Sequence, residues 1–130
     1  MREIKFRAWH RGQKRLYDVL KLDFRNANIV FAPHQEPIGL FVAGMAQCDL
    51  EQYIGIKDNK GREIYESDII HYKAGTIDLI ASVGWCGLNL CWALNPEADN
   101  ESYHTLHACL SNDYEVIGNI HENPELLKEV

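Results

Sequence analysis

The residues best equipped for chemistry in this 130-residue chain are soft donors in its C-terminal half: Cys86 and Cys91, then the run His104-x-x-His107-x-Cys109. Thiolates and imidazoles are the donors zinc prefers, and four of these five would complete a tetrahedral site. The spacing argues against it. On a strand, residues three apart point to opposite faces, so His104 and His107 converge only on a helix. No C-x-x-C pair occurs. The plainer expectation is a set of packed or edge-lying thiols with solvated imidazoles. No cysteine sits in a glycine-rich elbow or at a helix start that would lower its thiol pKa. Neither G-x-G-x-x-G nor a Walker pattern is present. Glu66 and Asp68 make a carboxylate pair, but carboxylates at a turn are far more often structural than catalytic. The sequence therefore predicts no catalytic residue, no metal and no cofactor, and a metal-dependent enzyme ranks last among the functional expectations.

A second constellation lies at the N-terminus, where Arg7, Trp9 and Arg11 interleave an aromatic ring with bases and Arg2 and Lys5 add charge. Such a strand face suits stacking on unpaired nucleotides with phosphate contacts. The competing expectation is that Trp9 packs on the fold while the arginine stems cover apolar surface. Residues 1–25 hold eight basic side chains against three acidic ones, a local +5, leaving −11 for the rest of a chain whose net charge is −6. That acidic remainder would repel a polyanion, so nucleic-acid binding ranks second. Basic and acidic regions on one chain favour contact between copies instead.

The elements that must position these residues read as strands. With 46% hydrophobic and 25% charged residues the composition is that of an ordinary globular protein, and the length suits one domain over 1–130. No apolar run is long enough to span a bilayer, and the N-terminus builds no secretory segment. The expectation is a cytoplasmic protein with reduced cysteines. Ile4, Phe6 and Ala8 alternate with Lys5, Arg7 and Trp9 in the period of a strand with one buried face. Leu20, Leu22 and Phe24 alternate with Lys21 and Asp23 in a returning strand. Residues 32–39, with Pro33, His34 and Pro37, read as an exposed loop. The runs 76–85 and 88–94 are strand-like with a break at Cys86-Gly87, residues 96–102 form a polar loop, and 102–110 lean to strand. YEVIGNIHE is a last strand. Asn123-Pro124-Glu125 then opens a short helix whose Leu126 and Leu127 dock on the sheet.

Between two alternating runs stands Lys57-Asp58-Asn59-Lys60-Gly61. Gly61 takes a positive φ cheaply, and Asp58 and Asn59 bond nearby amides, so these residues predict a hairpin turn rather than a binding loop. Asp68 bonds back to amides at the next corner.

The blocks REIKFRAW, QYIGIKDNKGREIYESDII and EVIGNIHENPELL, in that order across nearly the whole chain, resemble the YopX family of phage and prophage proteins. The resemblance implies a mainly β single domain, a partly open SH3-like barrel, and a bacterial host cell; it carries over no catalytic residue. Two positions depart from the family pattern. Ser67 stands where glycine is usual, and His10 where an acid usually follows the tryptophan. Together these readings predict a non-catalytic phage accessory protein, a homo-oligomer that also contacts another phage or host protein and no membrane.

Overall fold

The computed structural model describes residues 2–32, 41–97 and 103–127, which contain eleven strands. The backbone groups into two compact units, Glu3–Gln52 and the chain from Tyr53 onward, each with its own apolar core. The loops expected at 32–39, with His34, and at 96–102 fall largely outside the described residues.

In the first unit β1 (Phe6–His10), β2 (Arg15–Asp23), β3 (Asn28–Phe31), β4 (Phe41–Gly44) and the first half of β5 (Cys48–Lys57) pair antiparallel in the order β4-β3-β2-β1-β5. Ala8, Ile29, Phe31, Ala43 and Cys48 form the core, with Tyr17 stacked on Phe31 at 4.7 Å between ring centres. The β1–β2 turn explains His10: its Nδ1 accepts the Gln13 N–H at 3.0 Å, and Lys14, at φ 53°, donates its N–H to the His10 carbonyl at 2.7 Å.

Two expectations change here. β1 buries adjacent residues on opposite faces, with Ala8 at 0% and Trp9 at 9% exposure, and it is a central strand bonded to β2 on one edge and β5 on the other. Ile4 lies before the strand and is exposed. In β2 the register against β3 shifts between Val19 and Lys21, so Val19 and Leu22 pack on the same core while Leu20 faces outward; Phe24, also exposed, lies in the turn beyond the strand. One inserted residue reverses the alternation beyond it.

In the second unit the rest of β5 pairs with β6 (Glu63–Tyr65). A separate sheet holds β7 (Asp68–Ala74), β8 (Ile77–Cys86), β9 (Cys91–Leu94), β10 (His104–Thr105) and β11 (Tyr114–Asn119) in the order β10-β9-β8-β7-β11. Ile54, Ile64, Ile70, Tyr72, Ala81, Val83, Leu94, Tyr114 and Val116 form its core. Among the described residues the strands make two antiparallel sheets and no closed barrel, so the SH3-like expectation reduces to a mainly β fold.

The segment expected as a strand at 102–110 is a two-residue strand followed by a 3-10 helix, Ala108–Asp113. The His107 N–H bonds the Tyr114 hydroxyl at 3.0 Å, and the Leu110 N–H returns to the His107 carbonyl, so no strand edge is left to continue. The terminal helix is one 3-10 turn, Pro124–Leu127. The Asn123 side chain reaches back to β11, where its Oδ1 accepts the Asn119 N–H at 3.3 Å.

Ser67 has φ 70°, with its N–H on the Val83 carbonyl and its carbonyl taken by the Ile120 N–H, each at 2.9 Å. Both bonds lock a backbone that an L-residue adopts at a cost. Ser67→Gly should therefore stabilise the protein by about 0.5–1 kcal/mol after allowing for the larger chain entropy of glycine. Urea unfolding measures this, and a lower midpoint for the glycine variant would contradict the strain.

Candidate functional site

The loop after β5 is organised by one carboxylate. Asp58, 6% exposed, accepts the Lys60 and Arg62 N–H groups on Oδ1 at 2.9 and 2.8 Å, and the Val116 N–H on Oδ2 at 2.9 Å. Gly61, at φ 80°, closes the turn with its N–H on the Asp58 carbonyl. The Asn59 N–H reaches the Tyr114 carbonyl at 2.9 Å, Arg62 Nη1 donates to the Val116 carbonyl at 3.1 Å, and Lys60 pairs with Glu115 at 2.8 Å. Burial is the largest single influence on the Asp58 carboxyl and pushes its pKa up; the three backbone donors together outweigh it and hold the pKa below 3.8. The polar side chains here thus bind β11 of their own chain. Asp68, 2% exposed, similarly accepts the Tyr65 N–H at 2.8 Å.

The basic N-terminal set is engaged within its own sheet. Arg7 Nε donates to Glu51 Oε1 at 2.8 Å, with side chains 12% and 4% exposed, on directly opposed residues of β1 and β5. Arg11 pairs with Asp49 at 2.6 Å and also donates to the Ala46 carbonyl. Lys5 sits 3.4 Å from Glu3, Arg2 is exposed, and the Trp9 indole is buried.

Of the five soft donors, Cys86 and Cys91 face each other across β8 and β9, while the other three lie elsewhere. His104 packs edge-on to the Tyr72 ring at 5.5 Å, His107 Nε2 meets Thr105 Oγ1 at 2.6 Å, and Cys109 is exposed on the 3-10 helix. Among the described residues no group of three or more His, Cys, Asp or Glu side chains could hold a metal ion.

Sequence reasoning missed the tip of the β8–β9 hairpin. The turn is the four residues Gly87–Leu90, and it puts Leu88 at 92% and Leu90 at 73% exposure, with Trp85 at 48% against the Trp92 ring. Leu88 and Leu90 read as part of the following strand because they alternate with Asn89. Leu90 in fact has φ 53°, which ends the pleat.

Two antiparallel sheets, two apolar cores, and turns clamped by buried Asp58 and Asp68 define a small β protein whose most organised polar groups serve its own backbone. The model of the YopX protein family matches residues 5–128, and the chain belongs to that family. The crystal structure of protein EF1440 from Enterococcus faecalis is similar, at 26% identity and a TM-score of 0.62, covering 98% of this chain and 100% of that one. A search of curated proteins found no match. No helix among the described residues is long and apolar enough to cross a membrane.

Removing the carboxylate by Asp58→Ala leaves three amide donors without their acceptor and should cost about 3 kcal/mol. Asp58→Asn keeps the shape but turns an NH2 toward at least one N–H donor, so it should also destabilise. Because the folded pKa lies below the unfolded one, the carboxylate's contribution is complete above the unfolded value and disappears as pH falls through the folded value. Urea midpoints measured against pH should show the wild-type advantage over Asp58→Asn shrinking toward acid pH. An advantage that is constant or grows in acid would contradict this.

Proposed function

We propose that this YopX protein is a non-catalytic accessory module of phage or prophage origin, acting in the bacterial cytoplasm by associating with itself and with a protein partner. The observation that carries this reading is the hairpin tip, where Trp85, Leu88 and Leu90 present apolar surface at one end of β8 and β9. A large aromatic beside two exposed leucines is the composition of a contact anchor, and holding it in water is unfavourable unless something covers it. Exposed Lys14, Lys21 and Arg25 on the first unit support charge-guided encounter with an acidic neighbour.

Nucleic-acid binding through Arg2, Lys5, Arg7, Trp9 and Arg11 is less well supported, since stacking requires an open ring and Trp9 is 9% exposed. Arg7 and Arg11 already neutralise Glu51 and Asp49.

Sedimentation velocity over a micromolar concentration range tests the reading. The wild type should self-associate, and the Leu88→Ser/Leu90→Ser variant should associate at least tenfold more weakly, because each exposed leucine carries over 1 kcal/mol of contact energy. Association that survives this variant but vanishes at moderate salt would move the contact to the basic side chains. A wild type that stays monomeric throughout would reject self-association.

A further inference from the structure

Cys86 and Cys91 are the last opposed pair of β8 and β9 before the Gly87–Leu90 turn, so both side chains leave the same face of the hairpin. Opposed residues hold their Cβ atoms about 4.5–5.5 Å apart, and a disulfide needs about 3.5–4.5 Å, a gap that a twist of the hairpin end closes. The two sulfurs share one neighbour. The Tyr103 hydroxyl lies 3.9 Å from Cys91 Sγ, accepts Asn89 Nδ2–H at 2.7 Å, and is near enough to Cys86 to influence its charge. The Tyr103 hydroxyl, followed by the Asn89 amide of the turn, pulls the Cys86 thiol below its ordinary pKa, while burial pushes Cys48 up.

Neither the fold nor the proposed association uses this arrangement. Cys86 is 4% exposed and Cys91, directly opposite it, is half-buried. The most activated sulfur therefore has a second thiol standing beside it.

We propose that Cys86 and Cys91 form a peroxide-reactive thiol pair, in which Cys86 is oxidised by a small hydroperoxide and Cys91 resolves it to an intramolecular disulfide. The Cys86 thiolate attacks one oxygen of hydrogen peroxide, the O–O bond breaks, and the departing hydroxide takes a proton to leave as water, giving the sulfenic acid. Cys91 then attacks that sulfur, an S–S bond forms, and the sulfenic hydroxyl departs as a second water with the Cys91 proton. The two thiols lose two electrons and the peroxide gains them; a small dithiol reverses the reaction by exchange. The product staples the base of the turn that carries Leu88 and Leu90.

The test uses the full wild-type chain exposed to hydrogen peroxide, then alkylated and peptide-mapped. The expected result is two of the four thiols protected, a Cys86–Cys91 crosslink that dithiothreitol removes, and a reversible change in tryptophan fluorescence from Trp85 and Trp92. In Cys91→Ser, dimedone should trap a sulfenic acid at Cys86. Tyr103→Phe should slow the wild-type reaction about tenfold while preserving its product, as the thiolate fraction falls. Alkylation of both Cys86 and Cys91 after peroxide treatment, or oxidation confined to exposed Cys109, would overturn the proposal. Neither result depends on whether the protein self-associates.

Discussion

The second unit depends on a buried negative charge held chiefly by backbone amides, with the Arg62 charge a smaller influence. Asp58 meets three backbone N–H groups, two from its own loop and one from β11, and the last of these bridges 58 positions of sequence. A charged acceptor strengthens each bond, and a buried charge is tolerated when it is fully hydrogen-bonded. The loop is thereby fastened to β11 as firmly as a paired strand would be, with the Asn59 N–H and Arg62 guanidinium adding bonds to the Tyr114 and Val116 carbonyls. Tyr114 and Val116 are core residues, so the same few positions of β11 are fixed from one side by apolar packing and from the other by this carboxylate. Among the described residues every buried side-chain nitrogen and oxygen atom has a partner, consistent with polar groups spent on architecture.

Local chemistry was legible in the sequence, and long-range consequences were not. Asp58, Asn59 and Gly61 announce a turn because short polar side chains and a positive φ are properties of adjacent residues. That Asp58 also grips Val116 depends on how β11 returns, which no local pattern encodes. The β2 bulge shows the same limit: Leu20, Leu22 and Phe24 alternate cleanly, yet the shift after Val19 leaves Leu20 in solvent and the strand ends before Phe24. Trp9 looked available on a basic strand because its burial requires knowing that β1 is central. Ser67 was readable as a departure from the family glycine, and its φ of 70° gives that departure a physical meaning.

The candidate chemistry was legible in part for a related reason. The five soft donors were visible as residue types, but pairing sorts them: strand register puts Cys86 opposite Cys91, while the 3-10 helix carries Cys109 away from His104 and His107. Tyr103 joined no motif and draws its importance entirely from standing over both sulfurs. The YopX fold thus leaves two kinds of surface feature unspent by its architecture, an apolar hairpin tip and the thiol pair at that hairpin's base. They are adjacent because the turn that exposes Leu88 and Leu90 is closed by the opposed pair Cys86 and Cys91.

The most direct test of this account is a carbon-detected NMR titration of the Asp58 carboxyl in the folded protein. The account predicts a midpoint below the ordinary aspartate value of 3.8, with the Lys60, Arg62 and Val116 amide protons shifting at the same midpoint. A carboxyl that titrates at or above that value while the Val116 amide stays still would show that the charge does not hold β11, and the explanation of the fold would fail with it.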